Sequence, residues 1–198
     1  MTHSIFNIFR RMTLTALATL TLTGAFMTDA NARDLENTLY LDLKDGRVII
    51  ELRPDIAPQH VKRYKELTRK GFYDGLKWHR VIDGFMAQTG DPDGTGAGGT
   101  GQNIDAEFSD VPHVRGTLSA ARRSNPNSAD SQWFICLEKA SHLDGQYSVW
   151  GQVVEGMEFV DKIKRGNPMS GAVSDPDVIV KLQVAADAEE NSEEKAAE

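Results

Sequence analysis

Apolar and polar residues alternate with a period of two over 39–44 and again over 47–52. Leu39, Leu41 and Leu43 stand against Tyr40, Asp42 and Lys44, and Val48, Ile50 and Leu52 against Arg47, Ile49 and Glu51. The Asp45-Gly46 pair between the two runs suits a two-residue turn needing φ > 0, so the pattern predicts a β-hairpin with one face on the core. The period then changes to that of a helix. Val61, Tyr64 and Leu67 follow Pro58, a residue suited to a first helical position, and Gly71 stands where a helix C-cap would. From Leu76 onward the apolar runs are short and separated by Gly-rich or polar loops: 78–82, 85–88, 116–121, 133–137 and 147–154. Met157, Phe159, Val160 and Ile163 before Gly166 predict a second helix, and 178–184 a last strand. Short strands with frequent turn signals point to a mainly β fold, an antiparallel barrel or sandwich, and about eight strands and two helices fit one closed sheet, an eight-stranded antiparallel β-barrel capped by the two helices.

Both ends of the chain differ in character from this middle. Residues 1–32 carry Arg10 and Arg11, then a Thr/Leu/Ala-rich apolar stretch from Met12 to Met27, then Ala30-Asn31-Ala32. That order is expected of a cleavable export signal, with Arg33 as the first mature residue and the periplasm as the address. The stretch is shorter than the roughly 20 residues that span a bilayer, so no stable membrane anchor is expected. Residues 185–198 contain six acids, one base and no aromatic or branched aliphatic group. Such a segment is expected to be a solvated acidic tail, which leaves 33–184 as the folded domain.

The 198 residues hold 22 Lys+Arg against 29 Asp+Glu, a net charge of −7. With no Lys/Arg-rich run, that balance argues against nucleic acid as a partner, because nonspecific affinity for it comes mainly from neutralised phosphates. The single cysteine, Cys136, can form no internal disulfide and no thiolate zinc site by itself. It lies in the apolar run Phe134-Ile135-Cys136-Leu137, where a small buried hydrophobe is the default. The glycines 94, 96 and 99 satisfy a G-x-G-x-x-G pattern, but no helix opening follows, so a dinucleotide site is rejected. Asp91 and Asp93 fail as a calcium loop because Thr95 and Gln102 occupy ligand positions, and a flexible surface loop is expected there instead. No G-x-S-x-G supports Ser/His hydrolase chemistry.

One run resists a purely structural account. Trp78-His79-Arg80-Val81-Ile82-Asp83-Gly84-Phe85-Met86-Ala87-Gln88 sets a cation and an amide beside aromatic and thioether groups. Taken by itself it also fits Phe85 and Met86 as core and Arg80 as a solvated strand residue. With its continuation through Asp91, the run resembles the signature F-H-R-x-I-x-x-F-M-x-Q-x-G-D of the cyclophilins, the cyclosporin-binding peptidyl-prolyl isomerases. The likeness continues through G-T-L-S-A-A-R at 116–122, S-Q-W-F-I at 131–135 and H-L-D-G-Q-Y-S-V-W-G at 142–151, nearly the whole of 34–184. The stretch from Ala121 to Gln132 resembles the family's bacterial branch.

The resemblance implies an eight-stranded barrel with two capping helices and assigns roles position by position. Arg80 matches the catalytic arginine. Phe85, Met86, Phe134 and Leu143 match the pocket for the substrate proline ring, and Gln88 the residue that orients Arg80 and the substrate. His79 belongs to the same signature, and Ala121 and Arg122 match the edge that holds the substrate backbone. Tyr147 and His142 stand at pocket positions where many eukaryotic members have His and Trp. Thr89, Trp133 and Trp150 depart from the family's Gly, Phe and Phe. The implied partners are proline-containing polypeptides, with weak cyclosporin binding because His142 replaces the tryptophan. The protein is expected to act as a monomer, with no metal or cofactor. A noncatalytic proline-binding module or holdase is the alternative; it would keep the pocket without needing Arg80.

Overall fold

The computed structural model describes residues 33–188, so the export signal expected over 1–32 and the tail beyond 188 lie outside the described residues. The strands are β1 (Thr38–Leu43), β2 (Gly46–Leu52), β3 (Arg80–Ile82), β4 (Met86–Thr89), β5 (Thr117–Ala120), β6 (Trp133–Cys136), β7 (Val149–Glu155) and β8 (Lys181–Val184). The α-helices are α1 (Pro58–Arg69) and the one-turn α2 (Met157–Val160), and a last helical turn covers 185–188. All eight strands join one sheet in the order β3-β4-β6-β5-β7-β2-β1-β8, and every ladder is antiparallel.

The expected closed barrel is corrected here: β3 and β8 are the two edges of an open sheet, and no ladder joins them. The reason lies in the chain between α2 and β8. Gly166, Pro168, Gly171 and the Asp175-Pro176 pair prevent a regular strand, since proline offers no donor to a ladder and glycine weakens one. The segment instead runs beside β3 as an irregular strap. It is attached by isolated bridges at Lys77 with Val178 and Arg80 with Ala172. Single bonds add to these, from Val81 N–H to the Gly171 carbonyl (2.8 Å) and from Trp78 N–H to the Asp177 carbonyl (2.9 Å). Gly171 has φ +78°, and a Cβ there would lie 2.7 Å from Ile82 Cγ1 and 2.8 Å from Arg80 Cγ.

The hairpin forms as expected, with its turn one residue earlier. Leu43 pairs with Gly46, so the two turn residues are Lys44 and Asp45, and Gly46 begins β2. A Cβ at Gly46 would sit 2.6 Å from the Phe159 ring, so the glycine is required by close approach of α2. The inward side chains of β1 and β2, among them Leu39, Leu41, Val48 and Ile50, are fully buried. They belong to one core with Trp78, Trp133 and Trp150. Trp133 meets Trp78 and Trp150 edge-on, at 5.5 and 5.7 Å between ring centroids, a favourable quadrupole arrangement.

Helix α1 lies against β7 and β8 and buries Val61, Tyr64 and Leu67. Gly71, at φ +66°, follows its C-cap Lys70. Its N-cap, Ala57, has no side chain that could accept a hydrogen bond, and a distant carboxylate serves instead. Glu107 accepts from the N–H groups of Gln59 and His60, each at 3.0 Å. Burial raises the Glu107 pKa, but these bonds and the His60 ring outweigh it and hold the group below the usual carboxylate value.

The folded unit also runs past its expected boundary at Val184. Residues 185–188 are helical, Ala185 is fully buried, and Asp187 pairs with Arg69 at 2.9 Å. Alanine is small enough to enter the core without branched or aromatic groups nearby, so the first part of the expected tail is structure.

Candidate active site

Side chains alternate faces along a strand. In β3, β4, β6 and β5 the residues Val81, Ala87, Ile135 and Leu118 belong to the main core. The intervening residues point the other way. The register sets Arg80 opposite Gln88, Gln88 opposite Phe134 and Phe134 opposite Ser119, one row across four strands. Next to it lies the row Ile82, Met86, Cys136. These outward groups build a second apolar cluster of Met86, Phe134, Cys136, Ala140 and Leu143, with half-buried Ile82, Phe85, Ala121 and Tyr147 packed on it. The 3-10 turn Ser141–Leu143 lays Leu143 over the sheet to form one wall. Asp144 accepts from the backbone and the ring of buried His113 (2.7 and 3.0 Å), which fastens that turn.

The cation stands at the edge of this cluster in a fixed pose. Arg80 Nη1 donates to Gln88 Oε1 at 3.1 Å and lies 3.8 Å from Met86 Sδ, and Nε donates to the Ser170 carbonyl at 3.2 Å. Gln88 Nε2 donates to Gln132 Oε1 at 2.8 Å, and Gln132 Nε2 donates to the carbonyls of Gly96 (3.1 Å) and Gly98 (2.8 Å). The guanidinium is thus tied through two amides to the loop that follows β4.

That loop is more ordered than the flexible surface loop expected from its glycines. Asp91 is 1% exposed and accepts from the backbone N–H groups of Asp93, Thr95, Gly96 and Gly98, at 2.8, 2.9, 2.5 and 3.2 Å. Burial works to raise its pKa, but these donors prevail and the carboxyl stays below its ordinary value. A Cβ at Gly98 would lie 2.1 Å from Asp91 Oδ1, and one at Gly99 2.6 Å from Asp130 Oδ2. The glycines therefore let the backbone wrap two buried carboxylates.

Between this loop and the arm 121–132 lies a cavity of about 70 Å³, lined by Gln88, Ala121, Arg122, Arg123, Asp130 and Gln132 among others. It shares Gln88 with the cation and Ala121 with the apolar cluster.

The structure brings together Arg80, Gln88, Phe85, Met86, Phe134, Leu143, Tyr147 and Ala121. His142 is exposed, with its ring 5.2 Å from that of Phe85 on the rim. Arg122 lies 4.4 Å over the Tyr147 ring and donates to the Gln146 carbonyl. His79 is placed apart: it is 8% exposed and sits next to Gly96 under the loop, outside the apolar cluster. Burial pushes its pKa below the ordinary histidine value. Cys136 is buried in the cluster with its thiol pushed up to about 12 by burial, so it is packing material and not a nucleophile. Sequence reasoning left Gln132 without a role. The signal was available, because Gln132, at the entry to β6, stands two residues before Phe134 and continues its face.

Residues 38–184 match the family model described as cyclophilin type peptidyl-prolyl cis-trans isomerase/CLD. A probable peptidyl-prolyl cis-trans isomerase of Brucella suis is 49% identical over 192 residues, which covers 90% of this chain and 98% of the relative. Among solved structures, a cyclophilin of Hirschia baltica superposes with a TM-score of 0.70 at 28% identity, covering 78% of this chain and 76% of the other. A cyclophilin type isomerase of Cryptosporidium parvum, crystallised in the presence of the dipeptide Ala-Pro, superposes at 0.69 with 29% identity, covering 74% and 98%.

Proposed function

Because the chain belongs to the cyclophilin-type peptidyl-prolyl cis-trans isomerases, we propose that it catalyses rotation about X-Pro bonds with Arg80 as the catalytic residue. The carrying observation is the pose of that residue: a permanent cation fixed by Gln88 and the Ser170 carbonyl beside an apolar cluster.

Rotation must overcome a barrier of roughly 18–20 kcal/mol, because the C–N bond loses its partial double-bond character. At the twisted transition state the nitrogen lone pair leaves conjugation and becomes a hydrogen-bond acceptor. In the planar ground state it is not one, so a donor aimed at the nitrogen stabilises the transition state selectively. Arg80 supplies that donor. Nε and Nη1 are engaged, and Nη2 has no bond to the protein among the described residues, which leaves its hydrogens free to donate to substrate. Met86, Phe134 and Leu143 form an apolar floor for the proline ring, with Phe85 and Tyr147 at the rim. A dry surround also disfavours the charge-separated resonance form that keeps the amide planar. Nothing in this scheme breaks a covalent bond.

Its substrates are proline-containing segments, and the signal-like sequence before Arg33 supports exported proteins as their source and the periplasm as the address. Cyclosporin is expected to bind weakly, because His142 gives the rim a small polar ring in place of an indole.

The test is NMR exchange on a short Ala-Pro peptide with the wild-type protein and Arg80→Ala. Wild type speeds exchange. Arg80→Ala lowers turnover at least about tenfold, equivalent to about 1.4 kcal/mol of barrier, with the fold retained. Equal rates in a folded variant would remove Arg80 from the mechanism, and retained peptide binding without any catalysis by wild type would favour the noncatalytic binding module.

A further inference from the structure

Seven of the ten arginines among the described residues, at 33, 47, 53, 63, 69, 115 and 165, stand within salt-bridge distance of a carboxylate. In an acidic chain that is the expected condition. Arg80, Arg122 and Arg123 form no such pair, and all three border the site. Arg122 and Arg123 line the cavity of about 70 Å³, and Arg80 is bonded to Gln88, which lines it too.

The two cavity arginines differ in freedom. Arg122 is preorganised: Nε and Nη2 donate to the Gln146 carbonyl at 3.2 and 2.9 Å, Nη1 donates to the Arg123 carbonyl at 2.9 Å, and the guanidinium packs over Tyr147. Those acceptors are neutral, so its charge stays uncompensated. Arg123 is exposed. Asp130 is the acid in the cavity lining, and its oxygens are already taken by the Thr100 hydroxyl and the Gly101 N–H.

We propose that this cavity selects substrates carrying a carboxylate side chain within two residues of the proline, with Arg122 and Arg123 as the specificity-determining residues. The inference rests on the isomerase reading and names the substrate class of the same site. The volume is several times the roughly 10–15 Å³ that a single water needs, enough for a carboxylate group. The shared walls, Gln88 and Ala121, place the cavity directly beside the proline pocket. Two extended residues reach about 7 Å, the scale of that step. The whole molecule, at −7, repels acidic peptides at long range. The cleft lining carries two guanidinium groups, Arg122 and Arg123, against the one carboxylate of Asp130, so its local field still has the opposite sign and governs which bound sequences are held. An acidic peptide would supply the kind of partner that the fold gives the seven paired arginines.

Three capped peptides test this, Glu-Ala-Pro-Ala-Glu, Ala-Ala-Pro-Ala-Ala and Lys-Ala-Pro-Ala-Lys, each measured by NMR exchange for kcat/KM and by chemical-shift titration for Kd. With wild type at low salt the Glu peptide exceeds the Lys peptide by about fivefold or more, and the ratio falls below about two in 0.5 M NaCl, where charges are screened within a few ångströms. Arg123→Glu brings the ratio to one or inverts it, and Arg123→Gln gives an intermediate value. A ratio near one for wild type at low salt, or a ratio untouched by Arg123→Glu, overturns the proposal. If wild type accelerates none of the peptides, the isomerase reading fails, and the ratio of Kd values still decides whether the cavity selects acids.

Discussion

Replacing Asp91 by Asn tests whether the loop after β4 governs the catalytic cation at a distance. The substitution keeps the shape and exchanges one acceptor oxygen for a donor NH₂. In the folded protein Oδ1 accepts from Asp93 N–H, while Oδ2 accepts from the N–H groups of Thr95, Gly96 and Gly98. Whichever way the amide turns, at least one part-buried N–H faces another donor. Leaving such a group unsatisfied costs about 1–3 kcal/mol, and each surviving bond loses about 1 kcal/mol of charge assistance. A loop that loses about 2–4 kcal/mol opens at the carbonyls of Gly96 and Gly98, and these hold Gln132 and through it Gln88. Isomerase kcat/KM on an Ala-Pro peptide should then fall by about tenfold, more than KM rises, because Gln88 aims the donor that acts in the transition state. Urea unfolding of the same variant measures the stability loss. The pH dependence has a definite sign. Asp91 has a folded pKa below the ordinary aspartate value of 3.8, so its contribution is complete above that value and is lost as pH falls through the folded pKa. Wild type and variant should therefore converge in stability in acid. A variant that loses stability yet keeps full kcat/KM would break the proposed link from loop to cation, and one unchanged in both would deny the carboxylate its organising role.

Two further outcomes follow from the rim and the terminus. His142→Trp should tighten cyclosporin by about 1–3 kcal/mol in calorimetry, the range for an added aromatic face that also satisfies its N–H; no gain would place the drug elsewhere than the rim beside Phe85. Mass spectrometry of periplasmic extract should find a chain beginning at Arg33, given the small-residue site ending in Ala32; recovery of Met1 on membranes would reverse both processing and address.

The elements with local causes were legible from the chain. The two alternating runs became β1 and β2, and the Pro58, Val61, Tyr64, Leu67 and Gly71 pattern became α1 with its cap. The motif resemblance located Phe85, Met86, Ala121, Phe134, Leu143 and Tyr147 of the second apolar cluster, but not Ile82, Cys136 or Ala140. What escaped depends on contacts between distant segments. Gly46 reads as a turn glycine until the Phe159 ring is placed against it. Asp91 and its glycines read as a loose loop because a carboxylate wrapped by backbone N–H groups leaves no periodic signature. Ala185 reads as tail because its neighbours are polar, and burial of one methyl group needs only local room. Closure failed for a related reason: strand content can be counted from a sequence, but whether the first and last strands of the sheet order meet depends on a connection without periodicity.

The strand that carries Arg80 is an edge of the open sheet, and this gives the irregular strap a second task. A bare edge exposes unpaired N–H and C=O groups to any extended peptide, and extended peptides are what this site receives. The strap occupies Val81 N–H through Gly171 and Val81 C=O through Gly166 N–H. It thereby shields β3 from strand addition by its own clients while its Ser170 carbonyl holds the Arg80 side chain. Protection from aggregation and alignment of the cation are thus borne by one short glycine-dependent segment. A side chain at Gly171 would strain both at once, so a single substitution there would lower solubility and catalysis together.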